Sequence, residues 1–180
     1  MHFTLDETDL HILDLLQEDA RLTNKEIAAK LGKSVTSIFE RIKRLECEGY
    51  IKGYVAILDR KRMGKHVTAF ANITLKEHGH DVFLLFESKV NAFPEVMECY
   101  KINGPYDYLL KVMVADLEEY ELFITNKLSR LDAVSRINSL FVIAEPKHET
   151  ALSLNTGQII KTTKPGKKDE DKDKSGYSER

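Results

Sequence analysis

Cysteine is scarce in this chain: Cys47 and Cys99 are the two thiols in 180 residues. They lie far apart and form no CxxC pair, which argues against a disulfide framework or a zinc site. No apolar run approaches the roughly 20 residues that a membrane-spanning helix needs. The opening Met1-His2-Phe3-Thr4-Leu5-Asp6 lacks the basic stretch and following apolar stretch of a secretory signal. Also missing is any nucleophile–base pair, phosphate-cradling loop or paired-carboxylate motif. The expectation is a non-enzyme without cofactor or metal, working in a reducing cytoplasm and away from membranes. With 42% apolar and 31% charged residues the chain has the make-up of a globular protein, so a folded core is expected. Its length allows one ordinary domain or two small ones.

The net charge of −2 speaks against a nucleic-acid partner only until its distribution is considered. Residues 1–20 carry six acids and no Lys or Arg, whereas residues 21–62 carry eleven bases against five acids, a local +6. One continuous cationic segment is what phosphate contact requires.

Helical signals fill the first fifty residues. Asp6 is an N-cap, Leu5 and Leu10 flank it as a hydrophobic staple, and Leu10, Leu13 and Leu16 repeat at helical period, predicting a helix over about 6–19. Thr23-Asn24-Lys25-Glu26 is a capping box for a short helix that ends at Gly32. Ser34 caps a third helix running to about Glu48, with Gly49 placed to end it. Val35, Ile38, Ile42 and Leu45 make its expected core stripe. Ser37, Arg41 and Arg44 share one outer row, and Thr36, Glu40 and Lys43 share the next. The short helix, glycine turn and capped second helix over 24–43 form a helix-turn-helix, whose second helix fits the major groove with its early residues near base edges. A three-helix bundle with no nucleic-acid role is the competing reading. Glu40 has two readings of its own, acceptance from a cytosine amine or, favoured, a pair with Lys43 or Arg44.

Residues 51–65 read as an extended segment and linker, polar over 59–65. Beyond them the apolar period changes to two in Val67, Ala69, Ala71, Ile73 and Leu75. A helix is predicted over 80–91, strands over 96–103 and 107–115 with a tight turn at Asn103-Gly104-Pro105-Tyr106, a helix over 117–130 and a strand over 134–144. This βαββαβ order is ferredoxin-like, giving an α+β fold class for the chain. Two helices cover one face of such a sheet, and a second copy of the sheet is the simplest cover for the other. The expected domains are therefore 1–50, a linker 51–65, a sheet domain 66–150 and a C-terminal segment 151–180. Residues 161–180, with seven bases, five acids and almost nothing apolar, are expected to be disordered.

The ordered set Leu5-Asp6-x-x-Asp9-x-x-Ile12-Leu13, Asn24-Lys25-Glu26-Ile27-Ala28, Ser34-x-Thr36, Arg41-Ile42-Lys43-Arg44-Leu45, Gly49-x-Ile51 and Gly104-x-Tyr106-Asp107-Tyr108 resembles the Lrp/AsnC transcription regulators over about residues 5–150. The resemblance implies a winged-helix/helix-turn-helix reader of double-stranded DNA. Joined to it is a small-molecule-sensing domain, with an amino acid as effector, that dimerises through its sheet and often builds octamers. Carried over by position, Ser34, Thr36, Ser37, Arg41, Lys43 and Arg44 match the DNA-reading helix. Arg41 and Arg44 are assigned mainly to phosphate or guanine contact, Thr36 and Ser37 to base or backbone contact. The turn carrying Gly104, Tyr106 and Asp107 resembles the family's effector loop, where glycine lets amides approach a carboxylate and the aspartate can accept from an ammonium. Ser139 matches a position where the family usually has threonine, while Pro105 departs from the pattern by removing one amide donor. A purely structural turn with Asp107 capping local amides is the alternative. For the whole chain the alternatives are a low-specificity DNA-architectural protein and a sirohaem-decarboxylase-like enzyme on the same layout. His78 and His80 read as linker histidines, and Phe83, Phe86 and Phe93 as core.

Overall fold

A computed structural model describes residues 4–154, so the expectation of a disordered tail over 161–180 lies outside the described residues. The chain divides into two compact units. One runs to Val55 and is rejoined by residues 149–154; the other is Ala56–His148.

The first unit holds α1 (Glu7–Glu18), α2 (Asn24–Leu31) and α3 (Val35–Cys47). Each begins where a side chain can satisfy the free amides of a first turn. Asp6 accepts from the Asp9 amide at 2.9 Å, and the Asp9 carboxylate accepts in return from the Asp6 amide at 3.2 Å. Thr23 and Glu26 make the same reciprocal arrangement at the start of α2. Ser34 accepts from the Ser37 amide at 3.2 Å. Between α2 and α3 the chain reverses at Gly32, whose φ of +62° suits a residue without a Cβ. Leu5, Leu10, Ile12, Ile27, Ala28, Ile38 and Leu45 form the buried centre, and Ile42 and Leu154 pack partly buried against it.

Val35 does not join that centre, as its place in the stripe predicted; it is 48% exposed. At about 100° per residue it lies some 60° around the helix from Ile38, and it stands at the open first turn, where it projects past the packed centre. Residues 51–59 run on from the helices without pairing into a strand.

The second unit is a four-stranded antiparallel sheet with two helices. In chain order it comprises β1 (Val67–Leu75), α4 (His80–Asn91), β2 (Val96–Lys101), β3 (Tyr108–Val114), α5 (Leu117–Asn126) and β4 (Val134–Phe141). The strand order across the sheet is β2-β3-β1-β4, which is the ferredoxin-like arrangement. α5 is shorter than its apolar spacing predicts: it ends at Asn126, and residues 128–130 tighten into a 3-10 turn. The strands also stop one to three residues short of their predicted ends.

Strand alternation decides which face is dry. Ala69, Ala71, Ile73 and Leu75 of β1 face the same layer as Tyr108, Leu110, Val112 and Val114 of β3, under Phe86 and Val90 of α4 and Tyr120 and Phe123 of α5. At roughly 1.5–3 kcal/mol for each large side chain taken fully out of water, this layer dominates the unit's stability. The other face carries Phe70, Leu109 and Met113, partly exposed, beside Leu140 at 54% exposure. Facing pairs such as Phe70 with Leu140 and Thr68 with Met113 make that second face continuous.

Candidate functional site

The DNA-reading candidate is α3, held by Ile38 and Leu45 with no exposed surface at either. Opposite them Thr36, Glu40, Lys43 and Cys47 stand exposed, spaced four, three and four residues apart along one outward ridge. Ser37 is half-buried, and its amide is taken by the Ser34 hydroxyl. Ser34 therefore sets where the helix begins, while Thr36 and Lys43 carry the polar groups that the ridge can offer a groove.

The arginines are arranged differently from the other assigned residues. Arg41 Nη1 donates to Asp6 Oδ2 at 2.6 Å and to Asp9 Oδ1 at 2.7 Å. Arg44 Nη2 donates to both Asp9 oxygens at 3.1 Å. The Asp9 side chain is 1% exposed, so an ion pair of two guanidinia and one buried carboxylate ties the flank of α3 to the first turn of α1. Burial alone would raise the Asp6 carboxyl, but the Arg41 hydrogen bond, the Asp9 amide and the Arg41 charge together hold it below its ordinary value. Arg41 is held as the cation by the hydrogen bonds it donates to the Asp6 carboxylate and then to Asp9. In this structure, then, Arg41 and Arg44 brace α3; the geometry directs their guanidinium groups to α1. Glu40 stays exposed while Arg44 turns to Asp9 instead.

Sequence reasoning passed over Phe39, which is 52% exposed one row from the ridge. With Leu16, Ala20, Leu22, Asn24, Ile42, Lys43, Glu46 and Tyr54 it lines a groove of about 450 Å³. Tyr54 donates to Glu46 at 2.9 Å, and burial together with that carboxylate pushes its hydroxyl up to about 12. A local helix pattern contains no sign of this groove, because Tyr54 closes it from beyond the helices.

The effector candidate is the turn between β2 and β3. Gly104 has φ +148°, and nothing lies within 4 Å of where a Cβ would stand. Asp107 is fully engaged in bracing the turn. Its amide donates to Ile73 O at 2.8 Å, its carbonyl accepts from the Ile102 amide at 2.9 Å, Oδ2 accepts from the Leu75 amide at 2.7 Å, and Oδ1 lies 3.0 Å from His78 Nε2. The half-buried Tyr106 places its hydroxyl 3.4 Å from the Asn138 side-chain amide. Ser139 is not brought to the turn: its hydroxyl accepts from Tyr120 of α5 at 2.8 Å. Neighbouring residues of a strand face opposite sides, so Asn138 reaches Tyr106 while Ser139 faces the helices. Asn138 is a site neighbour that sequence reasoning did not single out, and polar alternation along β4 was the available signal for it; His78, read there as a linker histidine, stands against Asp107. Among the described residues no group of three or more His, Cys, Asp or Glu is placed to hold a metal ion. No helix among them is long and apolar enough to cross a membrane.

Comparison with known proteins agrees with this division. A family model described as winged helix-turn-helix DNA-binding matches residues 5–52, and one described as the Lrp/AsnC ligand binding domain matches residues 68–152. The Bkd operon transcriptional regulator of Pseudomonas aeruginosa is 39% identical over 139 residues, covering 77% of this chain and 91% of its own length. The leucine-responsive regulatory protein of Escherichia coli is 36% identical over 152 residues, covering 84% and 93%. Among solved structures, a complex of a Neisseria meningitidis transcriptional regulator with L-Met superimposes with a TM-score of 0.82 at 34% identity, covering 86% of this chain and 100% of that one. Escherichia coli AsnC gives 0.77 at 27% identity, covering 83% and 99%. Matched along both of its units, this chain belongs to the Lrp/AsnC family of transcription regulators, with a helix-turn-helix DNA-binding domain followed by the family's ligand-binding domain.

Proposed function

We infer that this regulator binds specific double-stranded DNA sequences through the outward ridge of α3, controls amino-acid-responsive genes, and has its DNA binding and assembly tuned by an amino acid. The observation that carries the reading is the state of α3: capped at Ser34, clamped at Arg41 and Arg44, and polar along its exposed ridge. A helix meant for a groove must keep its register when the duplex arrives, and a two-point ion pair to α1 supplies that rigidity. Thr36 and Ser37 then serve base or backbone contact, and Lys43 serves phosphate. Arg41 and Arg44 act through the helix they hold, with Arg44, the more exposed of the two, also within reach of phosphate at the flank.

In the second unit the open Gly104 backbone and the Tyr106 hydroxyl receive the ligand. Asp107 fixes the turn through Leu75 and His78, and Ser139 fixes Tyr120 on the covered side. A transcriptional regulator of similar structure, from Neisseria meningitidis, was solved with L-Met, which supports an amino acid as the class of effector. Self-association as a dimer through the exposed apolar sheet face, and further to octamers, joins the reading heads in this scheme; a ligand that binds one assembly better than another shifts the population toward it.

Footprinting of genomic fragments with purified protein, with and without each of the twenty amino acids, tests this. Discrete, phased protection that one amino acid alters is the expected result. Diffuse coverage indifferent to all twenty would leave a DNA-architectural protein instead. Sedimentation with the active amino acid should show a changed assembly.

A further inference from the structure

Two exposed apolar side chains stand in the first half of α3, and neither belongs to the buried centre of its unit. Val35, the first residue of the helix, is 48% exposed, and Phe39 is 52% exposed. The inward side of α3 is closed without them, by Ile38 and Leu45 with Ile42 partly buried beside them. Val35, Phe39, Lys43 and Cys47 follow one another at intervals of four, so they form one row along the helix, with successive Cβ atoms about 5–6 Å apart. All four are exposed. Phe39 also lines the groove that Tyr54 closes, which leaves the rest of its ring to water. The row is apolar where the helix begins and cationic one turn beyond Phe39.

That order matches the wall of a major groove. Base edges form its floor and phosphates its rim, and a reading helix brings its N-terminal residues to the base edges. Thymine alone of the four bases presents an apolar group there, its C5-methyl, and Phe and other apolar side chains meet it by contact. Thr36, exposed beside Val35, supplies a hydroxyl at the same depth. The exposed charges of residues 33–43 are Lys33, Glu40 and Lys43, a net cation, which favours a polyanion over an apolar protein surface as the occupant of this row. The helix also lies within the segment that matches winged helix-turn-helix DNA-binding domains.

We propose that Val35 and Phe39 read thymine methyl groups in the major groove, so that part of this chain's sequence preference is carried by apolar contact. The proposal rests on α3 being the DNA reader. Such contact involves no phosphate, so it adds discrimination between bases without adding salt dependence.

The test uses the full chain and a labelled duplex that it selects from a random-sequence pool. Each thymine of that duplex is replaced in turn by deoxyuridine, which pairs in the same way and lacks only the methyl. Anisotropy titrations should show a loss of roughly fourfold at each thymine that the two side chains cover, the worth of one buried methyl-sized group. The sensitive thymines should lie within about three base pairs of one another, because four helical residues rise about 6 Å and base pairs stand about 3.4 Å apart. The slope of log affinity against log salt should not move. Val35→Ala and Phe39→Ala should each weaken binding to the thymine duplex and lose the response to deoxyuridine at one position, so that the two changes together cost less than their sum. Phe39→Leu should keep part of that response. A selected duplex that tolerates deoxyuridine at every thymine would overturn the methyl reading while leaving α3 as reader. Variants that weaken thymine and deoxyuridine duplexes equally would overturn it as well, making the two side chains supports of the helix. An altered sedimentation profile for V35A and F39A, with the deoxyuridine response intact, would make the row a contact between copies of this chain instead. If the unaltered chain selects no duplex, the reading of α3 and the proposal fall together. Thermal melts confirm that each variant is folded.

Discussion

Replacing Arg41 with Ala separates bracing from DNA contact. The substitution leaves the Asp9 carboxylate, 1% exposed, with only Arg44 at 3.1 Å and the Asp6 amide at 3.2 Å. Removing one partner of a fully buried ion pair costs about 3–5 kcal/mol. Here the remaining guanidinium and the 25% exposure of Arg41 reduce that to about 2 kcal/mol. The second interaction, with the half-exposed Asp6, adds no more than about 1 kcal/mol, because solvent screens it. A loss of about 2–3 kcal/mol in a unit of this size lowers its unfolding midpoint by roughly 10 °C or more. Arg44→Ala, removing the more exposed cation, should cost about 1 kcal/mol. The assay pairs thermal unfolding followed by circular dichroism with anisotropy titrations over a salt series. Arg41→Ala should destabilise and weaken binding at an unchanged salt slope, whereas Lys43→Gln should leave stability alone and lower the slope by about 0.9. If Arg41→Ala melted with the parent and its slope fell by about 0.9, Arg41 would be a phosphate ligand and the bracing argument would be wrong.

Three further outcomes follow from the same geometry. Asp6, held below its ordinary 3.8, contributes stability that is fully present above that value and is lost as pH falls through its lower folded value. Acid titration of the unfolding midpoint should therefore show a decline below about pH 4 that Arg41→Ala flattens; an identical decline in both proteins would remove this pair as its cause. Thr23→Ala breaks the capping box of α2 and should cost about 1 kcal/mol in urea unfolding, and no change would mean that the cap is idle. Asp107→Ala strips the Leu75 amide of its acceptor, which should cost about 1–3 kcal/mol and weaken calorimetric binding of the active amino acid. Full-strength binding by that variant would show that the turn holds its shape without the carboxylate.

Much of the fold was legible because it is written in local patterns. Thr23 and Glu26 sit three residues apart and cap α2 as that spacing requires, and the two-residue period of β1 survives as alternating buried Ala69, Ala71, Ile73 and Leu75. What escaped was set by contacts distant in sequence. A helical projection puts Arg41 on a flank of α3, but nothing near it reveals that Asp6 and Asp9, more than thirty residues earlier, supply its partners. Asp9 entered only through the family resemblance, although its place three residues after Asp6 closes a second capping box. The exchange of Ser139 for Asn138 at the turn has a similar origin. The pairing of β1 with β4 shifts between Thr74 and Leu75, and which residues of β4 face the turn depends on register that alternation along one strand does not determine. The return of residues 149–154 to the helical unit, where the Gln17 side chain of α1 meets the main chain of Leu152, leaves no mark in the sequence at all, since one half of that contact is main chain.

That last point bears on how this protein can vary. Gln17 holds residue 152 by its amide and carbonyl alone, and the Leu152 side chain is 72% exposed. Any residue but proline can present the same two atoms there, so position 152 is open to drift. Gln17 is not, because shorter or singly functional side chains cannot both give and accept across that span. A clasp built this way constrains one partner and leaves the other unmarked, and related chains can share it without sharing a motif.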